Sequence, residues 1–290
     1  MEQTGISIVV PAFNEENGIG PVLDSILETM AGSGIEFEVL VVDDGSRDGT
    51  AAVAQARDVC VLRHPENRGY GAALKTGIRR ARYDLIAITD ADGTYPNDRL
   101  PDLIRHAVEG HYDMVVGART GEEVHIPLIR RPAKWALTRL ANYLAGFQIP
   151  DLNSGLRVFR RDAVTEFFRL LPSGFSFTTT LTLALLTNDY NVDYLPIDYH
   201  ARTGQSKIHP IRDTINFFSL VVRLVLSFRP LRVFVPLALM FVVVSLVKVI
   251  YDVYAYDFHL ATSTVVLVTL TFQVIVLGMI ADLVVSLHKS

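Results

Sequence analysis

Two long apolar runs near the C-terminus constrain this chain more than any other feature. Val233 to Tyr251 is broken by polar side chains only at Ser245 and Lys248, and Ala261 to Leu287 holds a single charge, Asp282. Each run approaches or exceeds the roughly 20 residues that carry a helix across a bilayer core. Backbone N–H and C=O groups cannot stay unpaired in lipid, so both runs read as helices, a hairpin with spans of about 233–251 and 261–287. The competing reading is a buried helical hairpin of a soluble protein. Arg223, Arg229 and Arg232 precede the first run and Lys289 follows the second, while 252–260 contains no Lys or Arg. That asymmetry places the N-terminal part and the C-terminus on the cytoplasmic side. Tyr251, Tyr254, Tyr256 and Phe258 suit the opposite interface as an aromatic belt, with Lys248 near enough to snorkel.

The residues before these runs follow a different pattern. Ile6-Ser7-Ile8-Val9-Val10, Phe37-Glu38-Val39-Leu40-Val41-Val42, Val59 to Leu62 and Leu85-Ile86-Ala87-Ile88 read as buried strands separated by helical segments. Such β-α-β alternation predicts an α/β fold with a mostly parallel, doubly wound sheet. The strand ends are polar: Pro11-Ala12-Phe13-Asn14-Glu15, Asp43-Asp44-Gly45-Ser46, Asn67-Arg68-Gly69-Tyr70-Gly71 and Asp90-Ala91-Asp92. Ligands of open α/β sheets bind beyond the carboxyl ends of the strands. In an extended segment alternate side chains share a face, so Asp90 and Asp92 can turn toward one hard cation, Mg²⁺ or Mn²⁺. Turn formation and helix capping explain some of these polar residues individually, but not acids closing two strands.

The formal net charge is −4, and without a basic aromatic face the chain gives no support to nucleic-acid binding. Its one cysteine, Cys60, reads as a buried apolar strand residue; it excludes an intrachain disulfide and agrees with a reducing cytoplasm. The chain starts Met1-Glu2-Gln3 and runs directly into a strand, which does not read as a signal peptide. Residues 209–230 mix apolar side chains with Arg212, Asp213, Arg223 and Arg229, a pattern for helices in the interfacial plane or for a core helix of the preceding domain. The expected organisation is a catalytic domain over 1–208, amphipathic helices over 209–230 and the hairpin over 231–290.

The four strand-end motifs, in this order and spacing, resemble the family 2 glycosyltransferases with a GT-A fold. Within that family the chain looks most like the polyprenyl-phosphate sugar transferases, such as dolichyl-phosphate mannose synthase. The resemblance implies a membrane-anchored, inverting enzyme moving a hexose from a nucleoside-diphosphate sugar, GDP-mannose or UDP-glucose, to dolichyl or undecaprenyl phosphate. It would work at the cell membrane, or the endoplasmic reticulum membrane of a eukaryote, as a monomer or homo-oligomer. By this resemblance Pro11, Ala12, Asn14, Glu15, Asp43, Arg68 and Gly69 meet the nucleotide, Asp92 and Asp90 hold the metal and diphosphate, and Ser154 and Gly155 border the sugar. Arg202-Thr203-Gly204-Gln205-Ser206-Lys207 matches a tail motif whose Arg202, Ser206 and Lys207 would close over the diphosphate.

An acceptor phosphate needs cations. Arg119 projects from the strand Met114-Val115-Val116, and Arg131 or Lys134, with Thr138, matches an Arg and a Ser that related synthases carry one helical turn apart. Arg130 and Arg139 suit equally a basic face toward lipid headgroups. A lipid phosphate is already deprotonated, so positioning and charge neutralisation can suffice. Asp151 is then either a group that orients sugar or acceptor, or a base as in many inverting relatives. Thr94 stands where related synthases often carry Gln, and Tyr95 and Pro96 read as turn residues. A processive polysaccharide synthase is disfavoured, because its Q-x-x-R-W motif is missing. A non-catalytic sugar-nucleotide sensor and a transferase to a non-lipid acceptor are the remaining alternatives.

Overall fold

β1 (Ile6–Ala12), β2 (Phe37–Asp43), β3 (Cys60–Arg63), β4 (Leu85–Ile88), β5 (Met114–Arg119), β6 (Arg157–Arg160) and β7 (Val192–Ile197) form one sheet of order β3-β2-β1-β4-β6-β5-β7. The structure is a computed structural model that describes residues 5–120, 142–143, 146, 148–174, 176–198, 222, 225–226, 228–255 and 259–289. The chain divides into two compact units, Met1–Pro132 with Phe147–His209, and Ala133–Gly146 with Pro210–Ser290.

In the first unit α1 (Ile19–Ala31), α2 (Thr50–Gln55), α3 (Tyr70–Arg80) and α4 (Leu100–Glu109) follow β1 to β4 in turn. β1 is buried throughout, as expected of a strand covered on both faces. α1 buries Ile19, Val22, Leu23, Ile26 and Met30, a stripe at helical spacing that packs into the main core. The expected α/β sheet is present, with one antiparallel member: β6 lies between β4 and β5 and opposes both. β4 and β5 therefore run in the same direction and deliver their C-terminal ends to one edge, where β6 begins. After β6 come α5 (Arg161–Thr165) and α6 (Phe177–Thr187), the latter buried along its whole length.

The crevice arises from unequal pairing. β1 stays paired with β2 through Ala12 and Asp43, but its register with β4 ends at Val9 and Ile88. Thr89 N still donates to Val9 O (3.3 Å), and Asp44 N donates to Ala12 O (2.8 Å). Residues 9 and 11 thus turn their backbone groups toward β4, and 12 toward β2. Pro11, which has no N–H, occupies the position whose donor would face the side where the ladder has ended.

Glycines at the start of α3 serve the chain's own packing. Gly69 has φ +99°, and a Cβ there would lie 2.5 Å from Ser173 O; one on Gly71 would lie 2.2 Å from Pro172 O. Ala72 N donates to Ser173 O (3.1 Å), and Lys75 Nζ donates to Leu171 O. Lys75 is therefore a tether rather than a solvated side chain. Cys60, expected in the interior, is exposed, because β3 is the short outer strand of the sheet.

In the second unit α7 (Leu231–Ala255) and α8 (Thr262–Lys289) contain two candidate membrane spans, Leu231–Ala255 of 25 residues and Thr262–Leu287 of 26. At about 1.5 Å per residue each exceeds a bilayer core of about 30 Å. They pair antiparallel: Ser245 Oγ and Thr271 Oγ1 are 2.8 Å apart, and Gly278 packs against Phe234. Near the turn the buried Asp252 carboxylate accepts Lys248 Nζ (2.6 Å), Ala261 N (2.8 Å) and the Thr264 hydroxyl. Lys248, expected to snorkel, pairs with this carboxylate. Leu239, Val247, Phe272 and Met279 are among many apolar side chains left exposed, unlike those of a core helix in a soluble protein.

A valine at position 71 must displace the 172–174 backbone. Gly71→Val should destabilise the protein by about 1–3 kcal/mol, read as a lowered denaturation midpoint of detergent-solubilised protein; an unchanged midpoint would show that this segment yields freely.

Candidate active site

The polar residues at the sheet edge are built into one connected arrangement. β4 ends at Ile88, and the buried Thr89 hydroxyl donates to Asn97 Oδ1 (2.9 Å), fixing where the chain returns. Between them Asp90 to Thr94 form a turn, with Gly93 at φ +72°. The two carboxylates are thus presented by a turn, not by the extended alternation the sequence suggested. Asp92 Oδ1 accepts Thr94 N (3.1 Å) and Thr94 Oγ1 (2.7 Å), so Thr94 braces Asp92. Asp90 Oδ1 accepts the Tyr70 hydroxyl (2.9 Å). Burial, reinforced by the charge of Asp90, holds Tyr70 protonated well above its ordinary range.

Gly155 closes on this turn from the other side. A Cβ at Gly155 would lie 2.7 Å from Asp90 Oδ2, and Gly155 N donates to the Tyr95 hydroxyl (2.6 Å). Tyr95, read from sequence as a turn residue, is a buried strut between the two loops. Ser154 is fully buried behind it.

At the β5 end, Arg119 and Asp151 form a two-pronged ion pair, Nε to Oδ2 at 2.6 Å and Nη2 to Oδ1 at 2.9 Å. Asp151 also accepts Arg119 N (3.1 Å) and Asn153 N (3.0 Å). Burial pushes the Asp151 carboxyl up, but the hydrogen bonds and charge of Arg119, with the Asn153 amide, outweigh it and leave the pKa below its ordinary value. Two residues to which the sequence gave separate roles thus act on each other.

The β1 and β2 ends are tied together. Asn14, at φ 54°, donates its N–H to Ser46 Oγ (2.9 Å) and accepts Arg47 N at Oδ1 (2.9 Å). Glu15 N donates to Thr50 Oγ1 (2.9 Å). Pro11 and Ala12 are buried at the end of β1. Asp44 accepts His64 Nδ1 (2.6 Å), Arg68 N (3.0 Å) and Gly69 N (2.7 Å), ordering the loop before α3. Asp43 is fully buried. Its Oδ1 accepts Ser46 N (3.0 Å); Oδ2 lies 3.0 Å from Arg63 Nε without a directed hydrogen bond. One buried carboxylate oxygen thus has an ion-pair contact but no hydrogen bond.

The donor set fits a hard divalent cation: two carboxylates on one turn at a crevice mouth, leaving other positions to water and phosphate oxygens. Among the described residues no group of three or more His, Cys, Asp or Glu could hold a metal. Arg131, Lys134, Thr138, Arg202, Ser206 and Lys207 lie outside the described residues. Sequence reading missed His64 and Arg157, and it placed Tyr70 in a motif and Tyr95 in a turn without giving either a contact. Arg157 left a trace, a charge inside the strand pattern Leu156-Arg157-Val158-Phe159.

The chain matches two family models, glycosyl transferase family 2 over residues 7–168 and the GtrB C-terminal hairpin over 229–287. It is 32% identical over 212 residues to the low-salt glycan biosynthesis hexosyltransferase Agl6 of Haloferax volcanii, covering 72% of this chain but 51% of that protein. It is 32% identical over 207 residues to the dolichyl-phosphate hexose transferase of the same organism, covering 71% of this chain and 87% of that one. Among solved structures it resembles the glucosyl-3-phosphoglycerate synthase of Mycobacterium tuberculosis, in complex with Mn²⁺, UDP and phosphoglyceric acid. That match has a TM-score of 0.57 and 23% identity over 77% of this chain and 78% of the other, a likeness of fold. The sheet is thus of the GT-A type, and the match over 7–168, which contains all four strand-end motifs, shows that the chain belongs to glycosyl transferase family 2.

Proposed function

We propose that this glycosyltransferase moves a hexose from a nucleoside-diphosphate sugar to the phosphate of a polyprenyl lipid at the cytoplasmic face of a membrane. One observation carries the reading: Gly155 sits against Asp90, so the loop bearing Asp151 and Ser154 meets the carboxylate turn with no side chain between them. A donor diphosphate at the turn and an acceptor phosphate beside Arg119 then flank one sugar. The relative named dolichyl-phosphate hexose transferase and the apolar hairpin support a lipid acceptor.

In this reading Pro11, Ala12, Asn14, Glu15, Asp43, Arg68 and Gly69 receive the nucleoside. Asp90 and Asp92 would hold Mg²⁺ or Mn²⁺, which neutralises charge on a diphosphate leaving group when bound. Arg202, Ser206 and Lys207 complete the diphosphate site; Arg119, with Arg131 or Lys134 and Thr138, positions the acceptor phosphate. An acceptor phosphate oxygen attacks the anomeric carbon, the bond to the diphosphate oxygen breaks, and the nucleoside diphosphate departs. The attacking oxygen carries no proton, so no base is required. Asp151, ionised against Arg119, orients that arginine, which favours the orienting role over the base. GDP-mannose and UDP-glucose are the candidate donors.

The test incubates membranes containing the protein with labelled GDP-mannose or UDP-glucose, polyprenyl phosphate and Mg²⁺ or Mn²⁺. A lipid-linked sugar is expected; glycosylation of a soluble alcohol without lipid product would overturn the acceptor assignment. Asp92→Ala should lower kcat by about 10³-fold, whereas Arg119→Ala should chiefly raise the KM for lipid, with nucleotide affinity kept. Equal loss of nucleotide binding in both variants would refute that division.

The acidity of Asp151 gives a further prediction. A carboxyl whose pKa is lowered on folding, here from 3.8, stabilises the fold above that value, and the contribution is lost as pH falls through the lowered pKa. Asp151 should therefore add no inflection to the rate between about pH 5 and 8. Because Asp151 acts through Arg119, Arg119→Met should leave no acid limb attributable to Asp151, whereas a limb that persists and moves upward would mark Asp151 as a base.

A further inference from the structure

Arg157, the first residue of β6, is fully buried. Removing a guanidinium from water costs several kcal/mol, and a well-packed apolar side chain of similar volume usually fills such a space at no loss of stability. Among the described residues Arg157 forms no ion pair, and arginine stays charged at any physiological pH. Its partners are instead chain oxygens from two segments. Nε donates to Ser154 O (2.7 Å) and Nη2 to Leu152 O (2.9 Å). Nη1 donates to Thr178 O (3.1 Å) and to the Thr182 hydroxyl, which itself donates to Thr178 O (2.9 Å). Met114 Sδ lies 3.8 Å from Nη1. One planar cation thus gathers two carbonyls of the loop preceding β6 and one from the first turn of α6. The Thr179 hydroxyl adds a second tie between the same segments through Asn153 Oδ1.

That loop joins the two halves of the crevice. At one end Asp151 grips Arg119; at the other Gly155 bonds Tyr95 and abuts Asp90. We propose that Arg157 is a positioning residue for glycosyl transfer, a buried guanidinium that sets the spacing between the Asp151–Arg119 pair and the Asp90 turn by holding the carbonyls of Leu152 and Ser154. It touches no substrate and acts through the loop. The inference rests on the reading of Asp151 and Arg119 as the acceptor side. A purely structural role predicts that variants lose fold, nucleotide binding and turnover together, whereas positioning predicts that they separate.

The experiment uses the full chain in detergent or nanodiscs, comparing wild type with Arg157→Lys, Arg157→Met and Thr182→Val. Three quantities are read: affinity for GDP and UDP with Mn²⁺, hydrogen exchange of the 152–156 amides, and kcat at saturating donor. Arg157→Lys keeps the charge but not the planar fork. It should leave nucleotide affinity within about threefold of wild type, quicken loop exchange by about tenfold, and lower kcat by about 10²-fold, as a catalytic group misplaced by about 1 Å would. Arg157→Met should lower kcat at least as far. Thr182→Val removes one acceptor of the guanidinium, outside the crevice, and should give a smaller loss of kcat with measurably faster loop exchange. It decides the matter should the Arg157 variants fail to fold. Unchanged loop exchange in Thr182→Val, parallel loss of affinity and kcat, or a wild-type kcat in Arg157→Met would each overturn the inference. Faster loop exchange in a protein whose wild type yields no lipid-linked sugar would sink the functional reading while sustaining the role of Arg157 in the loop.

Discussion

β4 leaves its ladder with β1 at Ile88, while β1 and β2 remain paired to Ala12 and Asp43. A parallel sheet held to equal length would bring these strand ends flush and leave no room between them. Early release of one strand lets the chain turn through Asp90 and Asp92, and lets an antiparallel strand enter beside it from the same edge. The carboxylates, the Arg119–Asp151 pair and the Gly155 contact are arranged around that parting. The constraint is met in the backbone by Pro11, a residue whose missing donor fits the unpaired position.

Much of this was legible in sequence, because strand runs and their polar endings are local signals. The four strand-end motifs lie within a few residues of where β1 to β4 stop, and both apolar runs form helices. What sequence could not give is pairing at long separation. Arg119 and Asp151 stand 32 positions apart, and neither residue type names the other as its partner. Gly69 was expected to meet the nucleotide, and the space beside it and Gly71 is taken by Pro172 and Ser173. A contact with a carbonyl a hundred residues away leaves no periodicity to read. Cys60 was misread because its run looks like a central strand, while its position at the sheet margin follows from the order of all seven strands. Tyr95 and Arg157 show the converse case, polar atoms on large side chains that sequence patterns assign to turn or strand.

Among the described residues the buried charges of the first unit are handled in two ways. Asp151 has a bidentate partner, and Asp44 collects a histidine and two amides. Among the described residues Arg157 has neutral partners, backbone and hydroxyl oxygens and the Met114 sulfur, an arrangement that fixes carbonyl groups more than it neutralises charge. Satisfied polar networks of this kind specify one geometry where an apolar core would tolerate several.

The Lys248–Asp252 pair has a consequence for how the hairpin enters lipid. An isolated Lys or Asp near the middle of a span opposes insertion by about 2.5–3.5 kcal/mol. Here the two lie one turn apart near the end of α7, and the carboxylate also accepts the amide of Ala261, the residue just before α8. These two charges of α7 are therefore presented to an apolar surrounding as one neutral pair and not as separate ions. Removing either charge alone would leave its partner as an isolated ion beside two apolar helices, a heavier cost than the intact pair carries.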